Sequence, residues 1–526
     1  MKRRDFILRT AAATAATTLL HRFPIGAYGY SPALAALTGA ATQTDKVLVI
    51  VQLQGGNDGL NMIIPRDQYP ALLAARANVV LPESLVLGLS TATGLHPAMS
   101  QVQQLFQAGK IGVVQSVGYP NPNFSHFRAT DIWTSGSEAN VNLTTGWAGR
   151  YLDSEYSGYP TGYPNLDSPD PLAISIGSVA SNCVQGPTVN MGMAIASTSS
   201  FYQLLTGGTD VAPNTPAGHE LTYVRQVAQQ AQVYTGTIQA AAGRARNLSP
   251  LYPTAGQNSL ADQLRIVAQL VAGGLSTRVY VVNLGGFDTH SGQVAATGGT
   301  QTGLHATLLG RLSEAINAFQ DDLQRLQIQD RVVGLTFSEF GRRIRSNSSL
   351  GTDHGAAAPQ IVFGTRVNPI IHGTNPQLPA NAGVNDNLAL QFDFRSLYTS
   401  ILQDWFQVPQ TTLTQLFGRQ FPYVPVLRKA TATASTPARP VEGFAVFPNP
   451  APLGGQASVT FESDGNTTYL RLLDGVGREV RRVVDGRRLP AGPQRLPLDL
   501  SGLARGAYHC LVQQGARQSS RLVVVE

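Results

Sequence analysis

Acidic, imidazole and hydroxyl side chains recur along this chain in one setting, just after short apolar runs. Lys46–Leu53 leads into Gln54-Gly55-Gly56-Asn57-Asp58, and Ile111–Val117 is followed by Asn123-Phe124-Ser125-His126-Phe127-Arg128. Arg278–Leu284 leads into Gly285-Gly286-Phe287-Asp288-Thr289-His290, and Arg331–Phe337 into Ser338-Glu339-Phe340-Gly341-Arg342, with Thr352-Asp353-His354-Gly355 further on. Asp288 and His290 are two apart, so in extended chain both project to one side and can hold one ion together. Asp353 and His354 are adjacent and would point opposite ways, which suits a loop placed between two sites. Carboxylates and imidazoles without thiolates favour Zn, Mn or Mg over soft-metal chemistry. Singly, each residue has a plainer role: an Asp after Gly-Gly-Asn caps a turn or helix, and a His near a strand end is hydrogen-bonded core. Jointly they read differently, because three of only nine histidines, His126, His290 and His354, fall in these segments.

Such groups need a scaffold that gathers strand ends. The apolar runs above, with Leu172–Ile176 and Gln360–Phe363, alternate with helical segments. In one of these Leu304, Leu308, Leu312, Ile316, Phe319, Leu323 and Leu326 follow steps of three and four, giving one apolar face. The pattern predicts an α/β fold, a mostly parallel sheet flanked by helices, with ligand groups beyond the carboxyl ends of its strands. Residues 150–215, rich in Gly, Pro, Ser and Tyr, read as an insertion or long loops, and the 150–260 region is expected to line the pocket.

The ends read as addresses. Residues 1–41 carry Arg3-Arg4 followed by Phe6, a modest apolar run and small-residue sites, which is a twin-arginine signal peptide and predicts export to periplasm, cell surface or medium. No run reaches the ~20 apolar residues of a membrane span, so an integral membrane protein is not expected. Of the net charge of +6, residues 1–22 supply +4 and residues 441–526 supply +2, so residues 23–440 between them are neutral and nothing argues for nucleic acid. Residues 429–441 are a small-residue, Pro-containing linker. About seven short β-like runs in 442–526 suggest a small sandwich. Cys183 and Cys510 read as packing residues. The tail resembles the C-terminal sorting domain of type IX secretion substrates in Val446-Phe447-Pro448-Asn449-Pro450, Gly506-Ala507-Tyr508 and a final basic-then-apolar strand; an adhesive or carbohydrate-binding sandwich is the alternative. The resemblance implies export and sorting machinery as partners.

Gly55-Gly56-Asn57-Asp58, Ser125-His126-Phe127 with Asp131-Ile132-Trp133, Gly286 to His290, Ser338 to Arg342, Thr352 to Gly355 and Asp393-Phe394-Arg395-Ser396-Leu397-Tyr398 resemble, in order over residues 45–425, the motifs of the domain-of-unknown-function 1501 family. That family is placed with the alkaline phosphatase and sulfatase superfamily. The resemblance implies one or two divalent ions, with Asp58, Asp353 and His354 in one site, Asp288 and His290 in the other, and Ser125 as nucleophile. The superfamily's further His has only His372 as a counterpart. Glu339 is a candidate ligand or general base, and His126, Arg128 and Arg342 are candidates to bind the substrate, a small anionic ester or polysaccharide. The formylglycine signature of sulfatases is missing, since Phe127 and Ala129 stand where Pro and Arg would follow Ser125. The expected activity is therefore metal-dependent hydrolysis of a phosphate or sulfate ester, the alternative being a secreted, non-catalytic surface protein on the same fold.

Overall fold

Each apolar run forms a strand in the computed structural model, which describes residues 45–165, 168–197, 234–428, 441–474, 479–514 and 517–526. The segments expected to be signal peptide and linker lie outside these, apart from Val441. Contacts divide the chain into two units, Gly39–Lys429 and one built on Ala430–Glu526.

The first unit contains strands β1 (Val47–Gln54), β2 (Ile111–Gly118), β3 (Ala173–Ile176), β4 (Gly192–Ile195), β5 (Val279–Gly285) and β6 (Val332–Phe337). A hairpin of β7 (Gly341–Ser346) and β8 (Thr352–Gly355) follows, then β9 (Ala358–Phe363), β10 (Ile371–His372) and β11 (Phe392–Asp393). The main sheet runs β10-β2-β9-β6-β1-β5-β3-β4, with β11 also on β2. Only β9 is antiparallel to its neighbours, so the sheet is mostly parallel as the alternation predicts.

The period-two geometry of β1 shows why the sheet is covered on both sides. Val47, Val49, Val51 and Leu53 enter one buried cluster, while Leu48 and Ile50 enter another. Helices α2 (Ser100–Gln107), α5 (Ser259–Ala272) and α6 (Leu304–Arg325) pack in the first. Helices α3 (His126–Ser135), α4 (Trp147–Glu155), α7 (Phe394–Phe406) and α8 (Gln410–Phe417) pack in the second. A shorter helix, α1 (Tyr69–Arg76), lies beside β7. The apolar stripe of α6 is buried from Leu308 to Leu323, and Leu304, its first residue, is exposed.

Two local expectations change. The 150–215 stretch is not merely insertion: α4 overlaps it, and β3 and β4 lie in it and extend the sheet at one edge. Thr352–Gly355 is strand rather than loop, because pairing with β7, Arg342 opposite His354, satisfies its backbone.

In the second unit β12 (Ala445–Phe447), β13 (Gln456–Ser463) and β16 (Gly492–Asp499) form one antiparallel sheet. A second contains β14 (Thr467–Leu473), β15 (Glu479–Arg488), β17 (Gly506–Gln514) and β18 (Arg517–Val525), in the order β15-β14-β17-β18. Val459 and Phe461 from one sheet meet Leu470, Leu472, Val512 and Val523 from the other in one core, a sandwich-like arrangement. Cys183 and Cys510 are free and buried, each thiol pushed up by burial to about 12. Among the described residues no helix is long and apolar enough to cross a membrane.

Candidate metal centre

β1, β2, β5 and β6 run in one direction, so the segments that follow them meet at one edge of the sheet. The turn after β1 packs against the turn after β5. Gly55 has φ +120°, and a Cβ there would lie 2.3 Å from the Asp288 nitrogen, so the position needs glycine. The segment after β2 enters α3 with Ser125 as N-cap and His126 as first helical residue. The β7–β8 hairpin brings in Asp353 and His354.

Three imidazoles converge on Asp288. The Nε2 atoms of His290 and His354 lie 3.3 and 3.2 Å from Asp288 Oδ1, and His126 Nε2 lies 3.4 Å from Oδ2. Each Nδ1 faces an oxygen instead: His126 to Glu339 Oε1 at 2.9 Å, His290 to Asp353 Oδ1 at 2.9 Å, His354 to the Phe124 carbonyl at 2.8 Å. A carbonyl or carboxylate only accepts, so a neutral ring in each place carries its proton on Nδ1 and keeps a lone pair on Nε2. The Nε2 atoms of His290 and His354 are 2.8 Å apart. Lone pairs so close to each other and to a carboxylate repel unless a cation lies among them, and a second proton on His354 is disfavoured because burial lowers its pKa. Held Nδ1 atoms and converging Nε2 atoms are how histidines are oriented around a metal. The ligand atoms of His126, Asp288 and His354 all lie within 4.8 Å of one another, a span that suits one ion.

The surroundings fix these groups. Burial alone would raise the Asp288 carboxyl, but the Arg342 and His354 bonds bring it down to about 2. Burial likewise raises the Asp353 carboxyl, and bonds from His290 and Asn347 outweigh it, so its pKa is lowered. Glu339, 3% exposed, accepts from the Gly55 N–H at 2.8 Å as well as from His126. The Phe340 ring packs against the imidazoles of His126 and His354, with centroids 4.9 and 4.2 Å away.

The predicted residues are thus distributed unevenly. Asp288, His290 and His354 come together, and Asp353 holds His290 from behind. His126, expected to bind substrate, stands with Asp288 and His354 in a group that could hold one ion, and its position after a strand end was legible. Glu339 orients His126. Ser125 is exposed beside His126, and its hydroxyl does not cap the helix. Asp58 is elsewhere: fully buried, it accepts from Arg76 through both oxygens at 2.9 Å and from Gln293 at 2.6 Å. Burial pushes its carboxyl up and the Arg76 guanidinium more than reverses this, so its pKa is lowered. Arg342, 1% exposed, donates to the Gly55, Gly56, Phe287 and Thr352 carbonyls and to Asp288, which makes it a clamp on the ligand turns rather than a receptor for substrate. Arg128 bonds Asp131 and the carbonyls of Glu138, Ala139 and Val141. His372 is buried on β10, outside the cluster. Sequence reasoning missed Arg76, whose Asp partner lies 18 residues earlier with no pattern linking the two.

An α/β protein with a His and Asp centre at the carboxyl edge of a mostly parallel sheet is the class these features define. The chain belongs to the family described as "Protein of unknown function (DUF1501)", which matches residues 119–428. No curated protein matches it. Similar solved structures include a protein in the alkaline phosphatase superfamily from Vibrio parahaemolyticus, with 10% identity over 93% of this chain and 84% of that one and a TM-score of 0.33. A sulfatase from Pseudoalteromonas sp. shows 11% identity, 92% and 88% coverage and a TM-score of 0.29. A phosphonate monoester hydrolase from Silicibacter pomeroyi shows 12% identity, 92% and 89% coverage and a TM-score of 0.28.

Proposed function

We propose that this chain is an exported, metal-dependent hydrolase of phosphate or sulfate esters. One observation carries the reading: three Nε2 lone pairs converge on the Asp288 carboxylate while each Nδ1 is held by an oxygen. His126, Asp288, His290 and His354 would hold one divalent ion, Zn, Mn or Mg, with Glu339, Asp353 and the Phe124 carbonyl orienting the rings. Such an ion supplies Lewis-acid polarisation of an ester oxygen and favours an ionised hydroxyl nearby. Ser125, exposed beside His126, offers the attacking hydroxyl, and the substrate is a small anionic ester or a charged polysaccharide carrying one. Export through a twin-arginine signal, a route for folded proteins, fits a centre whose ligands meet only after folding, with the C-terminal sandwich serving as sorting tag.

The test is elemental analysis of purified protein, then a panel of phosphate and sulfate monoesters on wild type and Ser125→Ala. About one ion per chain, with hydrolysis lost in Ser125→Ala and metal retained, supports the reading. Metal without hydrolysis of any ester returns the chain to a surface protein with a structural ion, and unchanged hydrolysis in Ser125→Ala removes the covalent step.

A further inference from the structure

We propose that Arg343 is the residue that takes the anionic group of the substrate, an inference that rests on the ester-hydrolase reading above. The two arginines that the motifs suggest are committed elsewhere, Arg342 to carbonyls and Asp288 and Arg128 to its own loop. Arg343 is their neighbour on β7, and alternation along the strand turns it away from the buried side on which Arg342 and Ile344 lie. It is part-exposed, and among the described residues no carboxylate lies within 4.0 Å of its guanidinium. Its guanidinium instead lies over the Phe124 ring, 5.5 Å from the centroid. Phe124 is the residue whose carbonyl holds His354 and which precedes Ser125, so the charge stands over the strand-end segment that carries the nucleophile and one ligand.

The backbone under Arg343 is unusually well fixed for a residue with an unpaired charge. Buried Arg76 donates to the Arg343 carbonyl at 2.5 Å and to the Ile344 carbonyl at 2.9 Å, and Arg76 is itself held by Asp58. The Asp58–Arg76 pair therefore sets where Arg343 stands without contacting solvent. A guanidinium on a rigid strand over Phe124, the residue before Ser125 and His126, is suited to a tetrahedral oxyanion, since its planar fork offers two parallel N–H bonds.

The experiment measures sulfate and inorganic phosphate binding by calorimetry to zinc-loaded full-length wild type, Arg343→Ala and Arg343→Lys, with metal content and melting temperature determined for each. At least a tenfold loss of affinity is expected in Arg343→Ala, with partial recovery in Arg343→Lys and metal content unchanged; a purely structural arginine would lower the melting temperature and metal content instead. Equal affinity in wild type and Arg343→Ala overturns the role of Arg343 alone. A metal-loaded wild type that binds neither anion overturns the ester-hydrolase reading and Arg343 with it.

Discussion

Replacing Arg76 by Met tests whether Asp58 belongs to a buried ion pair or to a metal site. In the native protein both side chains are sealed from water, and Arg76 also serves the Arg343 and Ile344 carbonyls. Removing one partner of a buried pair leaves an uncompensated charge, which costs about 3–5 kcal/mol. Gln293 still donates to Asp58, which holds the loss toward the lower end, while the two orphaned carbonyls push it upward. The combined change Arg76→Met with Asp58→Asn removes the charge as well, so the double variant should be more stable than Arg76→Met alone by about 2 kcal/mol. Scanning calorimetry of full-length protein reads this as a fall in the transition of the α/β unit by about 4–6 °C in the single variant, partly restored in the double. A single-variant loss below about 1 kcal/mol, or a double variant no more stable than the single, would refute the ion-pair argument.

Metal content should fall at least tenfold in His290→Ala and stay at the wild-type level in Asp58→Asn, measured by elemental analysis after dialysis; loss in both returns Asp58 to the ligand set. Glu339→Ala frees the His126 ring, and about a 10–100-fold weaker metal affinity is expected in a chelator competition, with no change counting against an orienting role. Gly55→Ala places a methyl against the Asp288 backbone at a positive φ, so metal occupancy should drop with the fold retained by circular dichroism, and a fully loaded variant would contradict the close approach. Burial holds His96 at about 3 and His305 at about 4, both below the unfolded value near 6.5. Their contribution is complete above that value and is lost as pH falls toward the folded values, because the unfolded chain then binds protons that the native state refuses. Metal-free protein should therefore lose several kcal/mol of stability between pH 7 and pH 5, and a flat denaturant midpoint over that range would contradict this.

The strands were legible because a parallel sheet buried on both faces demands unbroken apolar runs, and β1, β2, β3, β5 and β6 each lie within a residue or so of the run that predicts them. The direction of β9 was not, since the short run Gln360–Phe363 carries no sign of whether its neighbours run with it or against it. At the site, residue type and strand-end position marked Asp288, His290 and His354, but the partition between ligands and supports depends on which nitrogen of each ring is already bonded. Spacing is silent on that. His126 was assigned to substrate, while its Nδ1 is engaged by Glu339, 213 residues away. Asp58 followed the right kind of strand, yet its carboxylate turns inward to Arg76.

The separations at the centre bear on how the protein matures. His290 and His354 are 64 residues apart, His354 and Phe124 are 230 apart, and His126 and Glu339 are 213 apart. No stretch of nascent chain contains this set of side chains, so on the proposed metal-dependent reading an ion would find its full ligand set only once β2, β5, β6 and the β7–β8 hairpin have docked. Contacts of such long range form late and slowly. On that reading ion capture would be a checkpoint on completed folding: a chain that has paired its strands wrongly would offer single histidines and hold metal weakly, while a correctly folded one would be stabilised by the binding free energy of its ion.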